Sequence, residues 1–436
     1  MSRFPVSGSQ FRASLIFALL ALAQPAFSEP GTMKALVEKE WLITANGTLE
    51  NVSLDGFFLV NNSWQRVLTL ETNGKPVYDG QLIKIYYSEA YPPGIREVYA
   101  RSEVEIAYTP LFPDDAPVPM SPIPAYGPSN YTPEIRAQAE SLAIPNSSLE
   151  TLAALTAWVH DNVRYNISYF GNSIPASDVF IKRQGVCTEY SHLLLAMLSS
   201  LGIRSRFVSG YAYQNGTYQP HAWVEAFIAG KPVPADATFG EAGALSAGHI
   251  AMFYSDGFLS EGKVDQFFGQ NRSEAFDFVN GRGEGDFGLS VNISISPSEE
   301  GGFGPAAPIS YVFRRETGGL EVTVSNPSSS YALLTYSFFA PPGVYGSESR
   351  IIVVPPKGTL TRSYSLNSST IQEGYIYTIP FLASVQGSEL NASVKYASQA
   401  APGATTGTGA DAGSGCAPLF IMPALLAAAL ASKYAF

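Results

Sequence analysis

At 436 residues, 46% hydrophobic and 14% charged, the chain is long enough to hold two or three domains with substantial cores. A net charge of −11, a pI near 5.0 and the lack of any basic cluster argue against nucleic acid and anionic membrane surfaces as partners. Twenty-four Tyr and 26 Phe, beside 39 Gly and 31 Pro, point to much β structure with many turns.

Residues 1–28 have the layout of a signal peptide. Arg3 and Arg12 precede the apolar run ASLIFALLALAQPAF, and Ala26-Phe27-Ser28 places small residues around a cleavage site. An uncleaved anchor helix is the alternative, against which the run is short and ends at Pro25. Export agrees with the sequons. Eleven of the 17 asparagines open Asn-x-Ser/Thr: Asn46, Asn51, Asn61, Asn130, Asn146, Asn166, Asn215, Asn271, Asn292, Asn367 and Asn391.

Residues 29–110 alternate in strand fashion (ALVEKEWLITANGTLENVSL, QRVLTLET, QLIKIYYSEA), with Asn46-Gly47 and Asn73-Gly74 marking turns, and read as a small β module. A Pro-rich linker follows over 111–132, in which the adjacent Asp114 and Asp115 are expected to be solvated. The unit 133–256 opens with the helix TPEIRAQAESLA. A second helix begins at the capping box Ser147/Glu150 and carries a buried stripe of Leu152, Leu155, Val159 and Val163. His160 falls off that stripe and is expected at the surface.

The segment 185–236 concentrates the reactive side chains. Gly185 breaks the chain before Cys187, and TEYSHLLLAMLSSLG predicts a helix ending at a left-handed Gly202. Leu194, Met197, Leu198 and Leu201 give it an apolar face, with His192 away from that face and read as exposed. A thiol at a helix N-terminus feels the positive end of the dipole, which favours the thiolate. IRSRFVSGYAY then reads as a strand, and HAWVEAFI as a second one with His221, Trp223, Glu225 and Phe227 on one face. Gly230 and Lys231 suggest a tight turn, and with two central residues it would bring Asp236 of KPVPADAT onto the face of His221. Cys187, His221 and Asp236 then form a line of nucleophile, proton shuttle and orienting carboxylate. Taken singly, each is more often structural; a buried free cysteine is common. The order of the motifs is what favours chemistry.

GVC opening a Leu-rich helix, LGI followed by FVSGY, HAWVEAFI and a D-A-T strand together resemble the transglutaminase-like superfamily, over about a quarter of the chain. The resemblance implies an α+β papain/transglutaminase-like core, a nucleophile helix packed on an antiparallel sheet, and gives Cys187, His221 and Asp236 the family's triad positions. The lead-in PASDVFIKRQ resembles the family's approach to its nucleophile, and His249 matches a position often seen after the Asp strand, where packing is expected. The chain departs from the family at Pro232-Val233-Pro234, where a Trp commonly precedes the Asp. The Cys187 N–H and the side chain of Gln184 are the candidate oxyanion donors.

Residues 257–307 are a polar, Gly-rich extension. Asp277, Glu284 and Asp286 lie there, but their spacing fits no EF-hand loop, so no metal and no cofactor is assigned. Residues 308–397 alternate at Ig-like intervals and read as a C-terminal β module, so that two all-β sandwich-like modules flank the core. A low-complexity linker spans 398–415. The apolar tail 416–436 would run about 22 Å as a helix over 417–431, short of a ~30 Å hydrocarbon core, so a membrane-anchor or sorting signal is expected. It loosely resembles archaeal sorting tails without their Pro-Gly-Phe signature, and a GPI-type signal is the alternative. Cys416 is either a lipidation or processing site or an ordinary apolar residue.

The expected function is a cell-surface cysteine hydrolase or acyltransferase acting on peptide or glutamine-type amides through a thioester, with hydrolysis favoured over cross-linking. Its partners are a protein or peptide substrate and, through the tail, a membrane. The alternative is a non-catalytic surface or adhesion scaffold.

Overall fold

The computed structural model describes residues 14–16, 31–90, 94–125, 127–214, 216–255, 277–301, 307–372, 375–386 and 388–398. The signal-peptide reading (apart from a short strand, Ser14–Ile16, beside Ile376–Thr378), Asn215, Asn271, the low-complexity linker after residue 398, Cys416 and the apolar tail lie outside them. No helix among the described residues is long and apolar enough to cross a membrane.

Four helices and a five-stranded sheet make the centre. The helices are α1 (Pro133–Leu142), α2 (Ser148–Asn162), α3 (Ala176–Lys182) and α4 (Cys187–Ser200). The sheet runs Glu241–Ala242, Lys231–Asp236, Thr217–Ile228, Ser205–Gln214, His249–Ser255, each neighbour antiparallel. Ala222, Val224 and Ala226 pack toward the helices. Val208, Trp223 and Ile250 pack into a second core shared with the N-terminal strands. With both faces covered, the strand HAWVEAFI is buried throughout except at the half-buried Phe227. For the same reason α4 is buried on every side: His192 is 2% exposed and lies against Phe207, which corrects its reading as exposed.

The N-terminal unit is built around one long strand, Thr32–Val60, flanked by Leu82–Ala90 and Gly94–Ala107. Along its other edge runs Phe278–Gly301, from Phe278 opposite Asp55 to Gly301 opposite Thr32. Residues 278–301, read as a polar extension, are therefore a strand of this sheet. The glycines mask the alternation, which is visible only from Leu289 to Ile295. Lys39 and Phe57, eighteen residues apart, would be separated by about 60 Å in a straight strand. Lys39 Nζ nonetheless donates to the Phe57 carbonyl at 2.7 Å, so the ribbon doubles back between them. Asn46-Gly47 lie in that stretch and are no hairpin turn: they stay paired with Asp286 and Gly285, next to a register shift at Arg282/Gly283.

The Pro-rich segment is fastened rather than loose. Asp115 accepts from Ser147 Oγ (2.5 Å) and from the Leu149 N–H (3.0 Å), capping α2, whereas Asp114 is exposed. Leu111–Phe112 pairs with Tyr331–Ala332 of the C-terminal unit. In that unit, a sheet around Tyr331–Phe339 and a three-stranded sheet around Gly319–Ser325 share one core that includes Tyr336, Phe338, Leu320 and Phe381.

Candidate active site

Cys187 is the first residue of α4 and is 2% exposed. Two hydrogen bonds and one steric limit fix the chain just before it. Glu189 Oε2 accepts the Val186 N–H at 2.9 Å, and Glu189 Oε1 accepts from Ser173 Oγ at 2.9 Å. A Cβ on Gly185 would fall 2.3 Å from the Cβ of Glu189, so the G-V-C step needs glycine. The helix closes as expected, with Gly202 at φ +83.

His221 and Asp236 are brought together by hairpin register. Ile228 pairs with Lys231, so the two-residue loop is Ala229 and Gly230, one residue earlier than the expected Gly230 and Lys231, and both are at positive φ (48 and 76), the signs of a type I′ turn. Counting back, Val224 faces Ala235, which puts Asp236 opposite Trp223 and on the face of His221. Pro232 and Pro234 are tolerated because their strand is paired with the next one only at Ala235 and Asp236. The Pro234 carbonyl accepts from the Gly243 N–H, so the side of the residue that lacks an N–H points away from the main ladder.

His221 Nε2 contacts Asp236 Oδ2 at 2.6 Å, and Asp236 Oδ1 accepts the N–H of Thr238 at 2.7 Å. With Nε2 so engaged, Nδ1 is the nitrogen left for Cys187. Burial works to lower the His221 pKa, but the Asp236 carboxylate and the Cys187 side chain outweigh it and push it up to about 10. Burial likewise works to raise the Asp236 pKa, but His221 and His249 together hold it well below the usual carboxylate range. The imidazole is stacked with two aromatic rings: Phe239 at 4.7 Å, 14° from parallel, and Trp223 at 6.1 Å, 24° from parallel. Phe239 is half-buried and is the ring nearer solvent.

The packing expected of His249 is accompanied by a contact with the Asp236 carboxylate. Fully buried, it places Nε2 3.0 Å from Asp236 Oδ2, with Nδ1 3.0 Å from the Ser246 carbonyl. Its sequence signal was only the family position. His160, expected at the surface, is half-buried with Nδ1 3.2 Å from the carbonyl oxygens of Ala237 and Thr238, beneath the turn that follows Asp236. Gln184 is half-buried, and its Oε1 accepts from Asn166 Nδ2 at 2.8 Å, leaving its amide nitrogen as the donor end. On the same strand as His221, Glu225 is buried against Arg206 at 2.6 Å; burial outweighs the arginine and pushes its pKa up to about 7.

The ligand atoms of His221, Asp236 and His249 lie within 4.8 Å of one another, a spacing that three ligands to one metal also show. Both imidazoles spend Nε2 on the same carboxylate oxygen, which suits a hydrogen-bonded relay at least as well. Of the other acidic residues of 257–307, Asp277 is buried against Lys39, and the side chains of Glu284 and Asp286 lie outside the description.

A cysteine at a helix start, an imidazole and a buried carboxylate, set by a helix packed on an antiparallel sheet, are the arrangement of cysteine-nucleophile acyl-transfer proteins. Residues 136–237 match the model of the Transglutaminase-like superfamily, and this segment is a transglutaminase-like domain. A Mycobacterium leprae (strain TN) protein of uncharacterized function, ML0607, is 27% identical over 114 residues. The match covers 24% of this chain and 41% of that protein, less than half its length. Among solved structures, a candidate cysteine protease of Cytophaga hutchinsonii is similar with a TM-score of 0.39 and 15% identity, covering 62% of this chain and 91% of that one. The periplasmic domain of TgpA from Pseudomonas aeruginosa, bound to ethylmercury, gives a TM-score of 0.27 and 16% identity, with 46% and 89% covered.

Proposed function

We propose that this protein is a cysteine hydrolase or acyltransferase that cleaves peptide or glutamine-type amides through a thioester, with water as the preferred acceptor. The observation that carries the reading is the contact of His221 with Asp236 beside Cys187. Cys187 as thiolate attacks the carboxamide carbon, and the oxyanion is held by the first-turn N–H groups of α4 and by the Gln184 amide. His221, kept protonated by Asp236, gives its proton to the leaving amine and then takes one from the water that resolves the thioester. The flanking units act as sandwich-like supports. The protein works outside the cell, held at its surface by the tail. Sequons at the exposed Asn61, Asn130, Asn146, Asn292, Asn367 and Asn391 support export. Asn166 fits glycosylation poorly because its amide nitrogen is used by Gln184.

The full chain carrying Cys416→Ser leaves Cys187 as the single thiol. Its alkylation is expected to remain fast below the ~8.5 of a free cysteine and to slow on His221→Ala. It is expected to hydrolyse members of a peptide or Gln-amide library, with a loss of about a thousandfold or more on Cys187→Ala. A thiol indifferent to His221, together with no turnover, would leave a scaffold.

A further inference from the structure

The inward stripe of the long N-terminal strand reads Met33, Ala35, Val37, Lys39, Trp41, Ile43, and Lys39 puts a charge into it. Its side chain is 4% exposed and that of Asp277 is 0% exposed, with Nζ 2.8 Å from Oδ2. One peptide unit region holds both groups: the Phe57 carbonyl accepts from Nζ at 2.7 Å, and the Phe57 N–H donates to Oδ1 at 2.8 Å. Trp41 walls the site, its ring centroid 4.9 Å from Nζ, and lies so close over Gly56 that a Cβ there would meet the indole at 2.7 Å.

Two charges enclosed in this way are costly to keep as ions. Burial lowers the Lys39 pKa and raises that of Asp277, each against the attraction of the other, and both directions favour a neutral amine facing a neutral acid.

We propose that Lys39 and Asp277 condense to an intramolecular isopeptide bond. A proton passes from Nζ to Oδ2, and the freed lone pair attacks Cγ. Charge then developing on Oδ1 meets the Phe57 N–H, which stands where an oxyanion donor is needed. A second proton moves from Nζ to Oδ2, the Cγ–Oδ2 bond breaks, and one water leaves. The ammonium and carboxylate have become an amide and water, with no co-reactant. The contact distance and the fixed partners supply the proximity such a reaction needs. The bond would close a covalent loop around residues 40–276, hence around the whole transglutaminase-like segment 136–237. It would fasten the returning strand at its first residues, where a disulfide would serve in other proteins; Cys187 is in no disulfide among the described residues.

The test is peptide mapping of the full chain, made in a bacterial host without N-glycosylation, denatured and cut with trypsin. A branched species joining residues 35–66 to 273–282, lighter than the two peptides by one water and uncut after Lys39, is expected. Lys39→Arg, with an unchanged far-UV circular dichroism spectrum, is expected to lose the branched species. Cleavage after Lys39 and a linear 40–66 peptide as the quantitative products of the unaltered chain would overturn the proposal, leaving a buried ion pair. The unaltered chain decides the matter without any variant.

Discussion

Asp236 Oδ2 receives two imidazoles, His221 at 2.6 Å and His249 at 3.0 Å, so one carboxylate is positioned by a group outside the line of Cys187 and His221. Replacing His249 by Gln is expected to lower kcat by about 10- to 100-fold with little change in KM, since a hydrogen bond to a charged group contributes about 1.5–3 kcal/mol. Loss of the fold instead, seen as an early thermal melt, would assign His249 to packing. The same cluster sets a pH window. His221 is raised to about 10 from 6.5, so its share of stability is whole below about pH 6.5 and is lost as pH rises toward 10. Asp236 is depressed, so its share is present above about pH 3.9 and is lost as pH falls toward its folded value. Asp236→Asn should therefore cost about 3–5 kcal/mol near pH 6 in urea unfolding, and the gap should narrow by pH 9.5. A gap that stays constant across that range would contradict an ionised pair.

At the scale of elements, the hairpin of residues 217–236 does the most for the site, because its turn sets which side of the sheet Asp236 faces. Ala229 adopts φ 48, where a Cβ is strained and Asn is the better residue before Gly230. Ala229→Asn is expected to raise stability by about 0.5–1 kcal/mol without altering Cys187 alkylation. A change in alkylation rate would mean that the register, and not merely the turn, had moved. This hairpin was legible in the sequence: alternation in HAWVEAFI, a glycine at the turn and a carboxylate at the matching distance suffice to pair Asp236 with His221. The cap of α2 at Ser147 and the end of α4 at Gly202 were legible for the same reason, since each is decided within a few residues. Other features depend on distant chain. His192 lies off the local apolar face, yet α4 is enclosed on every side by the sheet and the other helices. Asp115 looks solvated in a Pro-rich run until α2 is placed beside it. Residues 278–301 become a strand only because the edge of Thr32–Val60 is there to pair with.

For the whole molecule, the central sheet cannot be separated from its neighbours. Its helix-facing side is covered by the chain that follows the linker, but Val208, Trp223, Ile250 and Tyr254 on its other side are buried among Ile43, Leu54, Ile85 and Ile106 of the N-terminal ribbon. Uncovering a large apolar side chain costs about 1.5–3 kcal/mol, and four to six of them would match the ~5–15 kcal/mol by which domains of this size are held folded. Arg206 and Glu225 are linked to the same boundary, because Arg206 also reaches Gln81 of the ribbon at 3.1 Å and stacks 3.3 Å from the Tyr254 ring centroid. A fragment of residues 111–255, which contains Cys187, His221, Asp236 and His249, is therefore expected to lack a cooperative melt and to bind a hydrophobic dye. The chain from residue 29 to 398 should melt in one transition and leave the dye dark. A short fragment that folds, alkylates at Cys187 and turns over substrate would show the ribbon to be an attachment. The expected result makes it one wall of the domain, on which the packing of Trp223, and through it the aromatic cradle of His221, depends.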